Sequence, residues 1–270
     1  MQPLIDGDIL LHECSAIGQT KDGEILDFDF VSNILDQRIE EIEKSVAADQ
    51  GSCFFITGDK SLLGDKFIPN FRYATAVTKP YKGTRTQPKP YHYRNLRAYA
   101  LSRYNVNVAN GCEADDELSI TQTSMGSETI ICSRDKDLRQ CPGWHYGWEV
   151  GKQAEFGPHR YDNFGQIELT RKSTYKLTGG GFVFFLGQLL CGDTVDNIGG
   201  LRGWGPVKAY NLLSTIRTER EGLLAVSNVY QECYGDSWKT QLREQCNLVW
   251  IVKERNPDGS LKMFNPKDYL

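Results

Sequence analysis

Apolar and polar positions along the chain follow two spacings, one typical of strands and one of helices. Four short apolar runs predict buried strands: 3–10 (ending near Asp6), 52–59, 106–110 and 128–137. Residues 31–48 have apolar side chains at helical spacing, and 113–124 opens with acids, which stabilise a first helical turn. Short strands or a hairpin are indicated for 144–171, and mainly helix from 174 to about 250. Strands that alternate with helices predict an α/β fold with a mainly parallel sheet flanked by helices.

The length of 270 residues fits one α/β core with a smaller appendage. We expect the core at 1–173, and a helical region with an extended C-terminal tail at 174–270. The most apolar run, 179–192, is too short to cross a bilayer and predicts a buried helix. The acidic N-terminal residues do not match a signal peptide, so we expect a cytoplasmic protein that does not bind membranes.

Eight cysteines are scattered along the chain without a C-x-x-C pair, which favours reduced and mostly buried thiols. Cys141 and His145 could be half of a zinc site, but no second half stands nearby.

Positive charge is concentrated in one part of a chain whose net charge is −4. From Lys60 to Arg103 there are ten Lys or Arg residues, and Asp65 is the only acid. This distribution fits a cationic channel that brings a polyanionic substrate to an acidic site.

Five groups of carboxylates stand where strands end or helices begin: Asp6 with Asp8, Asp59, Glu113 with Asp115 and Asp116, Asp135 with Asp137, and Asp193 with Asp196. Ligands of open α/β sheets lie beyond the carboxyl ends of the strands, so the topology would bring these groups together. Crowded carboxylates need cations, and oxygen donors without His or Cys select Mg²⁺ or Mn²⁺. Two such ions suit phosphodiester hydrolysis. The alternative for any single Asp, Asp8 above all, is a helix cap or turn residue.

A glycine-rich segment at 192–213 predicts a tight turn between two helices. Gly203, Trp204 and Gly205 would form the turn, and Pro206 suits the first turn of the helix that follows. Backbone N–H groups there, with Lys208, could hold a phosphate of the DNA backbone. A plain turn in which glycine only permits close packing is the alternative.

Six motifs in this order resemble those of the flap endonuclease and 5′–3′ exonuclease superfamily, including its phage exonuclease and ribonuclease H members and the 5′-nuclease domain of bacterial DNA polymerase: LIDGD at 4–8, ITGD at 56–59, YKGTR at 81–85, EADDELS at 113–119, SRDKDL at 133–138 and GDTVDNIGGLRGWGPVKA at 192–209. The resemblance implies a PIN-like α/β fold with a helical arch at 79–104 and a C-terminal helix–hairpin–helix region.

The resemblance also implies roles for the acids and for the basic segment. The first ion would be held by Asp6, Asp59, Glu113, Asp115, Asp116 and Asp135. The second ion would be held by Asp135, Asp137, Asp193 and Asp196, and Asp135 would thus serve both as a catalytic residue.

Lys82 and Arg85 would contact the scissile phosphate, and Tyr81 would stack on the terminal base. In the arch, Lys89, Arg94, Arg97 and Arg103 would contact phosphates. Tyr91, Tyr93, Tyr99 and Tyr104 would offer stacking surfaces, about half of them packing against the core instead. The resemblance allows a K⁺ ion at the hairpin. The span from Lys82 to Glu113 is shorter than in members with a closed arch, which favours an open cleft.

The expected activity is metal-dependent 5′–3′ exonuclease or flap endonuclease cleavage of DNA in replication, recombination or DNA degradation. The protein would act as a monomer, in the host cytoplasm if it is phage-encoded. Two alternatives remain open. One is removal of RNA from RNA–DNA hybrids, as a ribonuclease H does, and the other is a non-catalytic module that binds branched DNA.

Overall fold

The computed structural model of the protein describes residues 1–171 and 173–268. Lys172 of the predicted core, and Tyr269 and Leu270 of the predicted tail, lie outside the described residues. The chain forms two compact units. The first, here called the sheet unit, comprises 1–69, 87–135 and 143–160. The second, the helical unit, comprises 70–86, 136–142 and the chain from Tyr161 onward. The helical unit therefore takes in three stretches that precede the expected boundary at 173.

The strands of the described chain, numbered in order, are β1 (Gln2–Asp6), β2 (Cys53–Thr57), β3 (Asn105–Ala109), β4 (Thr129–Cys132), β5 (Gly143–Gly147), β6 (Phe156–Tyr161), β7 (Gln166–Arg171), β8 (Tyr175–Gly180), β9 (Gly192–Asp193) and β10 (Ile198–Gly199).

The helices of the described chain are α1 (Gly7–Ile17), α2 (Phe28–Ser45), α3 (Lys60–Leu63), α4 (Phe71–Thr75), α5 (Tyr93–Arg103), α6 (Ala114–Met125), α7 (Gly181–Cys191), α8 (Pro206–Leu213), α9 (Glu219–Tyr234) and α10 (Trp238–Val249). Short 3₁₀ turns are found at Gly64–Lys66, Gly126–Glu128, Asp137–Gln140, Gly235–Ser237 and Pro266–Asp268.

A six-stranded sheet in the order β3-β2-β1-β4-β5-β6 forms the centre of the sheet unit. The pairs β3–β2, β2–β1, β1–β4 and β4–β5 are parallel. In this register Ile5 of β1 lies between Phe54 of β2 and Cys132 of β4. The predicted α/β class with a mainly parallel sheet is confirmed.

Both faces of the central strands are buried. Ile5, Phe54 and Ile130 belong to one core cluster, which also contains apolar residues of α1, α2 and α5. Their neighbours in the strands, such as Leu4 and Phe55, are equally buried, as expected for side chains that alternate across a sheet. Helix α6 contacts β1, β2, β3 and β4. Burial on both faces explains why these strands are continuous apolar runs.

The helical unit is built around α7, which is buried along nearly its whole length. Its Phe185 lies 4.9 Å from the ring of Trp250 and 5.0 Å from the ring of Phe264, centroid to centroid. Phe264 ties the C-terminal segment to this cluster, and a buried helix in 179–192 is confirmed. The antiparallel strands β7 and β8 contact α7 and α8.

The first strand ends at Asp6 as predicted, because the Asp6 side chain accepts a hydrogen bond from the Ile9 N–H and starts α1. Two other local predictions need correction. The stretch after 174 begins with strand β8, which pairs with β7, before the helices start. The predicted turn between two helices is longer than expected, since the β9–β10 pair stands between α7 and the glycines.

The helical part of the predicted arch is also different. Helix α5 packs on α1 and α2, and its Tyr93, Leu96 and Ala100 are part of the core cluster. An arch could therefore involve only residues 79–92 of the predicted segment.

All eight cysteines lie in the described chain and are free, and five of them are buried. None of the helices in the described part of the chain has the length and apolar character needed to cross a membrane.

Candidate functional site

Asp6 stands at the carboxyl end of β1 and is buried. One carboxylate oxygen accepts from the Ile9 N–H at 3.1 Å, and the other accepts from the Ser133 hydroxyl at 2.6 Å. Ser133 follows β4, and its Oγ accepts in turn from the N–H of Asp135 at 2.9 Å. The Ser133 hydroxyl therefore joins the ends of two neighbouring parallel strands and places Asp135 close to Asp6.

The acids at these strand ends influence one another electrostatically. Burial raises the pKa of Asp6 to about 7, against the hydrogen bond from Ser133, and the charges of Asp8 and Asp135 add to the rise. Burial also raises the pKa of Asp8, and the charge of Glu113 adds to it. Asp6, Asp8, Asp135 and Glu113 thus form a crowded acidic neighbourhood, here called the acidic cluster.

Asp8 is part of this cluster, although the sequence left its role open. It lies in the first turn of α1, where its carboxylate accepts from the Thr57 N–H at 3.0 Å. The Tyr93 hydroxyl approaches the other oxygen at 3.4 Å. The same Thr57 accepts through its hydroxyl from the Ala114 N–H at 3.0 Å, which ties the start of α6 to the end of β2.

The three acids at the start of α6 occupy different environments. Asp116 is fully buried and accepts from the Glu113 N–H at 3.0 Å, so it caps the helix. Glu113 and Asp115 are half-buried. The predicted face shared by Glu113 and Asp116 is therefore used at least in part for helix capping.

Asp59, predicted as a metal ligand, and Arg97, predicted as a phosphate contact, bind each other. The distance from Arg97 Nη1 to Asp59 Oδ2 is 2.5 Å, and Arg97 also donates to Ser61 at 2.9 Å. Desolvation raises the pKa of Asp59, but the hydrogen bonds from Arg97 and Ser61 outweigh it and lower the pKa to about 2. Arg97 is buried. Two residues for which the sequence predicts separate contacts are therefore partners of each other in this structure.

In the helical unit, Lys136 bridges two of the predicted ligands. Its Nζ lies 2.8 Å from Asp137 Oδ1 and 2.8 Å from Asp193 Oδ2. Gln188 donates to Asp137 at 2.6 Å, and the Val195 N–H donates to Asp193 at 2.8 Å. Desolvation raises the pKa of Asp193, yet the Lys136 ammonium more than offsets this and the pKa is lowered.

Asp196 gathers the three predicted residues of the basic segment. The Tyr81 hydroxyl and Arg85 each donate to its carboxylate at 2.8 Å, and Lys82 Nζ lies 3.9 Å away. The Lys82 backbone N–H also donates to the Asp196 carbonyl at 2.9 Å, and Lys82 has a positive φ of 53°. Asp196 therefore orients Lys82 and Arg85, the two residues predicted to contact the scissile phosphate.

The remaining predicted DNA contacts of the sheet unit divide into exposed and packed side chains. Arg94 and Tyr91 are exposed, and Lys89 lies over the Tyr93 ring at 4.3 Å. Tyr99 and Tyr104 both donate to the carboxylate of Asp36 in α2, and Tyr93 is buried. Three of the four tyrosines are thus at least partly packed, compared with the expected half.

The glycine turn before α8 is open to solvent. Gly203 has a φ of 80°, and an added Cβ at Gly203 or Gly205 would meet no atom within 4 Å. Pro206 opens α8 as predicted. Lys208 is exposed and lies over the Trp204 ring at 4.2 Å, so its charge is held beside the turn. These features fit the predicted phosphate contact.

No three His, Cys, Asp or Glu side chains within residues 1–171 and 173–268 are arranged closely enough to hold a metal ion. The chemistry of the acidic cluster nevertheless fits a hard divalent cation, because its donors are carboxylate oxygens and burial with mutual repulsion raises the pKa of Asp6. Protein donors, notably Lys136 and Arg97, occupy several of the other predicted ligands.

Neither a protein-family model nor a curated protein matches this sequence. The structure is similar to T5 5′-exonuclease with bound divalent zinc ions, with a TM-score of 0.59 and 15% sequence identity over 92% of this chain and 89% of that chain. It is also similar to the bacteriophage T5 flap endonuclease in a pseudo-enzyme–product complex with DNA and metal ions, with a TM-score of 0.58 and 14% identity over 92% of this chain and 88% of that chain. The chain therefore has the fold of these two T5 proteins. In this fold the motifs identified in the sequence fall on strand ends, helix starts and the turn before α8.

Several residues that contact the acids were not predicted from the sequence. Ser133 and Thr57 link the strand ends to the acids, and Lys136 pairs with Asp137 and Asp193. Their positions in the sequence could have indicated them, since Ser133 and Lys136 belong to the motif SRDKDL that contains two predicted acids. Lys136 stands between these two acids, and a basic residue in that position is a candidate partner for a carboxylate.

Proposed function

We propose that this chain is a divalent-metal-dependent nuclease that hydrolyses DNA phosphodiesters at or near 5′ ends. The observation that carries the proposal is the acidic cluster at the carboxyl ends of β1 and β4, in a fold shared with a T5 enzyme solved with DNA and metal ions. A solvated protein surface would not crowd three further acids near a buried Asp6.

The acids of the two units would hold the ions. In the sheet unit these are Asp6, Asp59, Glu113, Asp115, Asp116 and Asp135, and in the helical unit Asp137, Asp193 and Asp196. Mg²⁺ or Mn²⁺ would supply Lewis-acid stabilisation of charge on the phosphate. All four of the paired acids, Asp59, Asp137, Asp193 and Asp196, would have to share or exchange their present Arg or Lys partners for the ion.

The basic residues would act on the phosphate directly. Lys82 and Arg85, which Asp196 orients, would offset negative charge that develops in the transition state. Tyr81 would stack on the terminal base. The turn around Gly203 and Lys208 would hold duplex backbone without sequence preference.

The test is a cleavage assay with DNA labelled at either end. The wild-type protein and Mg²⁺ are mixed with a 5′-flap duplex, a nicked duplex and an RNA–DNA hybrid of the same sequence. We expect cutting near the 5′ end of the DNA substrates. Asp135→Asn should abolish it while leaving DNA binding intact, and Asp236→Asn, a change of an exposed acid, should cut normally.

Three outcomes would contradict the proposal. Full activity of Asp135→Asn would overturn the site, and absence of cutting by the wild type at any Mg²⁺ concentration would favour a binding module. Cutting of the RNA strand alone would assign a ribonuclease H activity instead.

A further inference from the structure

A cavity of about 200 Å³ lies in the helical unit and contains none of the acids proposed to bind metal. One wall is a face of α10 whose residues are spaced by three, four and seven positions: Gln241, Glu244, Gln245 and Leu248. The opposite walls are the segments 78–81 and 197–200, and Tyr234 at the end of α9 completes the lining.

The walls of this cavity are held in place by hydrogen bonds. Glu244 accepts from the N–H groups of Val77 and Thr78 at 2.9 and 2.7 Å, and from the Thr78 hydroxyl at 2.8 Å. Gln245 donates to the Gly199 carbonyl at 2.9 Å. The carboxylate of Glu244 is therefore occupied by three donors, and these hydrogen bonds fix one wall of the cavity against the other.

Two polar side chains of the lining have no partner of their own among the described residues. Lys79 is exposed and pairs with no carboxylate of the described chain, and Gln241 is half-buried without a hydrogen bond to any described residue. The Lys79 ammonium lies close to Gly199, since a Cβ added there would be 3.6 Å from Nζ. A cation and an amide with free hydrogen-bonding capacity thus face the same cavity.

Two aromatic side chains also line the cavity. Tyr234 is 39% exposed, and the buried Tyr81 forms part of the lining. A cation for a phosphate, an amide for the polar edge of a base and an aromatic ring for its face are the groups that bind single nucleotides.

The volume of the cavity limits the size of the ligand that it can hold. An apolar cavity of roughly 150 Å³ accepts benzene, whereas sites for drug-sized ligands measure roughly 300–1,000 Å³. A cavity of about 200 Å³ has room for one heteroaromatic ring system and not for a stack of bases.

We propose that this cavity binds one nucleotide, with its phosphate on Lys79 and its base against Tyr234 and Gln241. The choice of a nucleotide over another small aromatic anion rests on the proposed nuclease function. The same chemistry is offered by a free mononucleotide and by one unpaired nucleotide within a strand.

The experiment measures binding in EDTA, so that neither metal nor hydrolysis is needed. Deoxyadenosine monophosphate, a single-stranded oligonucleotide of ten residues and inorganic phosphate are titrated by calorimetry into the wild type and five variants. Lys79→Ala removes the cation, Gln241→Ala removes the amide, and Gly199→Val fills the cavity from the opposite wall without removing a charge. Lys21→Ala, a change of an exposed lysine in the sheet unit, is the control for Lys79→Ala, and Gln231→Ala is the control for Gln241→Ala. Thermal unfolding checks that each variant is folded.

We expect Lys79→Ala to weaken nucleotide binding roughly tenfold, because a hydrogen bond to a charged group contributes about that factor. Gly199→Val should weaken nucleotide binding as well, because its side chain occupies space that the nucleotide needs. The controls should bind as the wild type does. An effect on deoxyadenosine monophosphate assigns the free nucleotide as ligand, and an effect on the oligonucleotide alone assigns a nucleotide within a strand.

Unchanged binding of both probes to Lys79→Ala and Gly199→Val would overturn the proposal. Binding of inorganic phosphate as tightly as the nucleotide would reject the base contact. If the wild type cuts no DNA while the variants still lose nucleotide binding, the proposed nuclease function fails and the nucleotide site remains.

Discussion

Lys136→Met removes the ammonium group that lies 2.8 Å from both Asp137 and Asp193. Met keeps an apolar stem of similar length, so the change is mainly one of charge. The two carboxylates would lose the cation they share and keep the donors from Gln188 and Val195. We expect the variant to be less stable without metal and to bind Mg²⁺ more tightly.

The size of the expected loss of stability follows from how exposed Lys136 and Asp193 are. The Lys136 side chain is 47% exposed, whereas that of Asp193 is 7% exposed. Hydrogen bonds to charged groups contribute roughly 1.5–3 kcal/mol when buried, and exposed ion pairs roughly 0.2–1 kcal/mol. An intermediate loss of about 1.5–2 kcal/mol in the free energy of unfolding is therefore expected.

The same interaction opposes metal binding, because an ion that takes these carboxylates must displace the ammonium. Removing it should lower the dissociation constant for Mg²⁺ roughly 10- to 30-fold, since 1.4 kcal/mol corresponds to a factor of ten. Urea unfolding in EDTA and calorimetric titration with MgCl₂ measure the two effects.

Lys262→Met is the matched control. Its side chain is 49% exposed and pairs at 2.6 Å with Glu254, which is itself 53% exposed, so the loss should stay below about 1 kcal/mol. Mg²⁺ affinity should not change in this control. Equal stability of Lys136→Met and wild type, or weaker Mg²⁺ binding by the variant, would refute the reasoning.

Three further predictions concern the rest of the molecule. Buried Arg72 donates to the carbonyls of Leu248 and Trp250 at 3.2 and 2.6 Å, so Arg72→Met should lower the free energy of unfolding, measured in urea, by roughly 3–5 kcal/mol. Arg243→Met, a change of an exposed side chain on α10, should not lower it. Comparable stability of both variants would reject this role. Asp196→Asn should reduce the rate of cleavage roughly 10- to 100-fold in single-turnover assays, because Tyr81, Lys82 and Arg85 lose the carboxylate that orients them. A normal rate would show that this carboxylate is not needed. EDTA should abolish cleavage and Mg²⁺ restore it, and cutting that persists in chelator would exclude a metal-dependent reaction.

Much of the sheet can be predicted from sequence because its central strands are buried on both faces. β1, β2 and β4 are continuous apolar runs, and this signal depends only on neighbouring residues. Helix α1 is different, since its first apolar residues extend the run of β1 and the boundary depends on the cap at Asp6. The pairing of β7 with β8 was not predicted, since helix was expected from 174 onward, and the residues of β8 form no apolar run that would indicate a strand.

The acids of the candidate site could be located from sequence, but their partners could not. Positions at strand ends follow from topology, which places Asp6 and Asp135 together. The pairs Arg97–Asp59 and Lys136–Asp193 join residues 38 and 57 positions apart, and nothing in the local pattern predicts them. Such pairs depend on how helices pack, which periodicity does not specify.

Asp6, which we propose as a metal ligand, also holds parts of the fold together. The same carboxylate begins α1 through Ile9 and fastens the β4 end through Ser133. If a variant of Asp6 were inactive, loss of metal binding could not be told apart from loss of local structure. A variant meant to trap a substrate complex should leave these hydrogen bonds in place. Asp135 is the better position to change, because its contact with Ser133 is made by its backbone N–H.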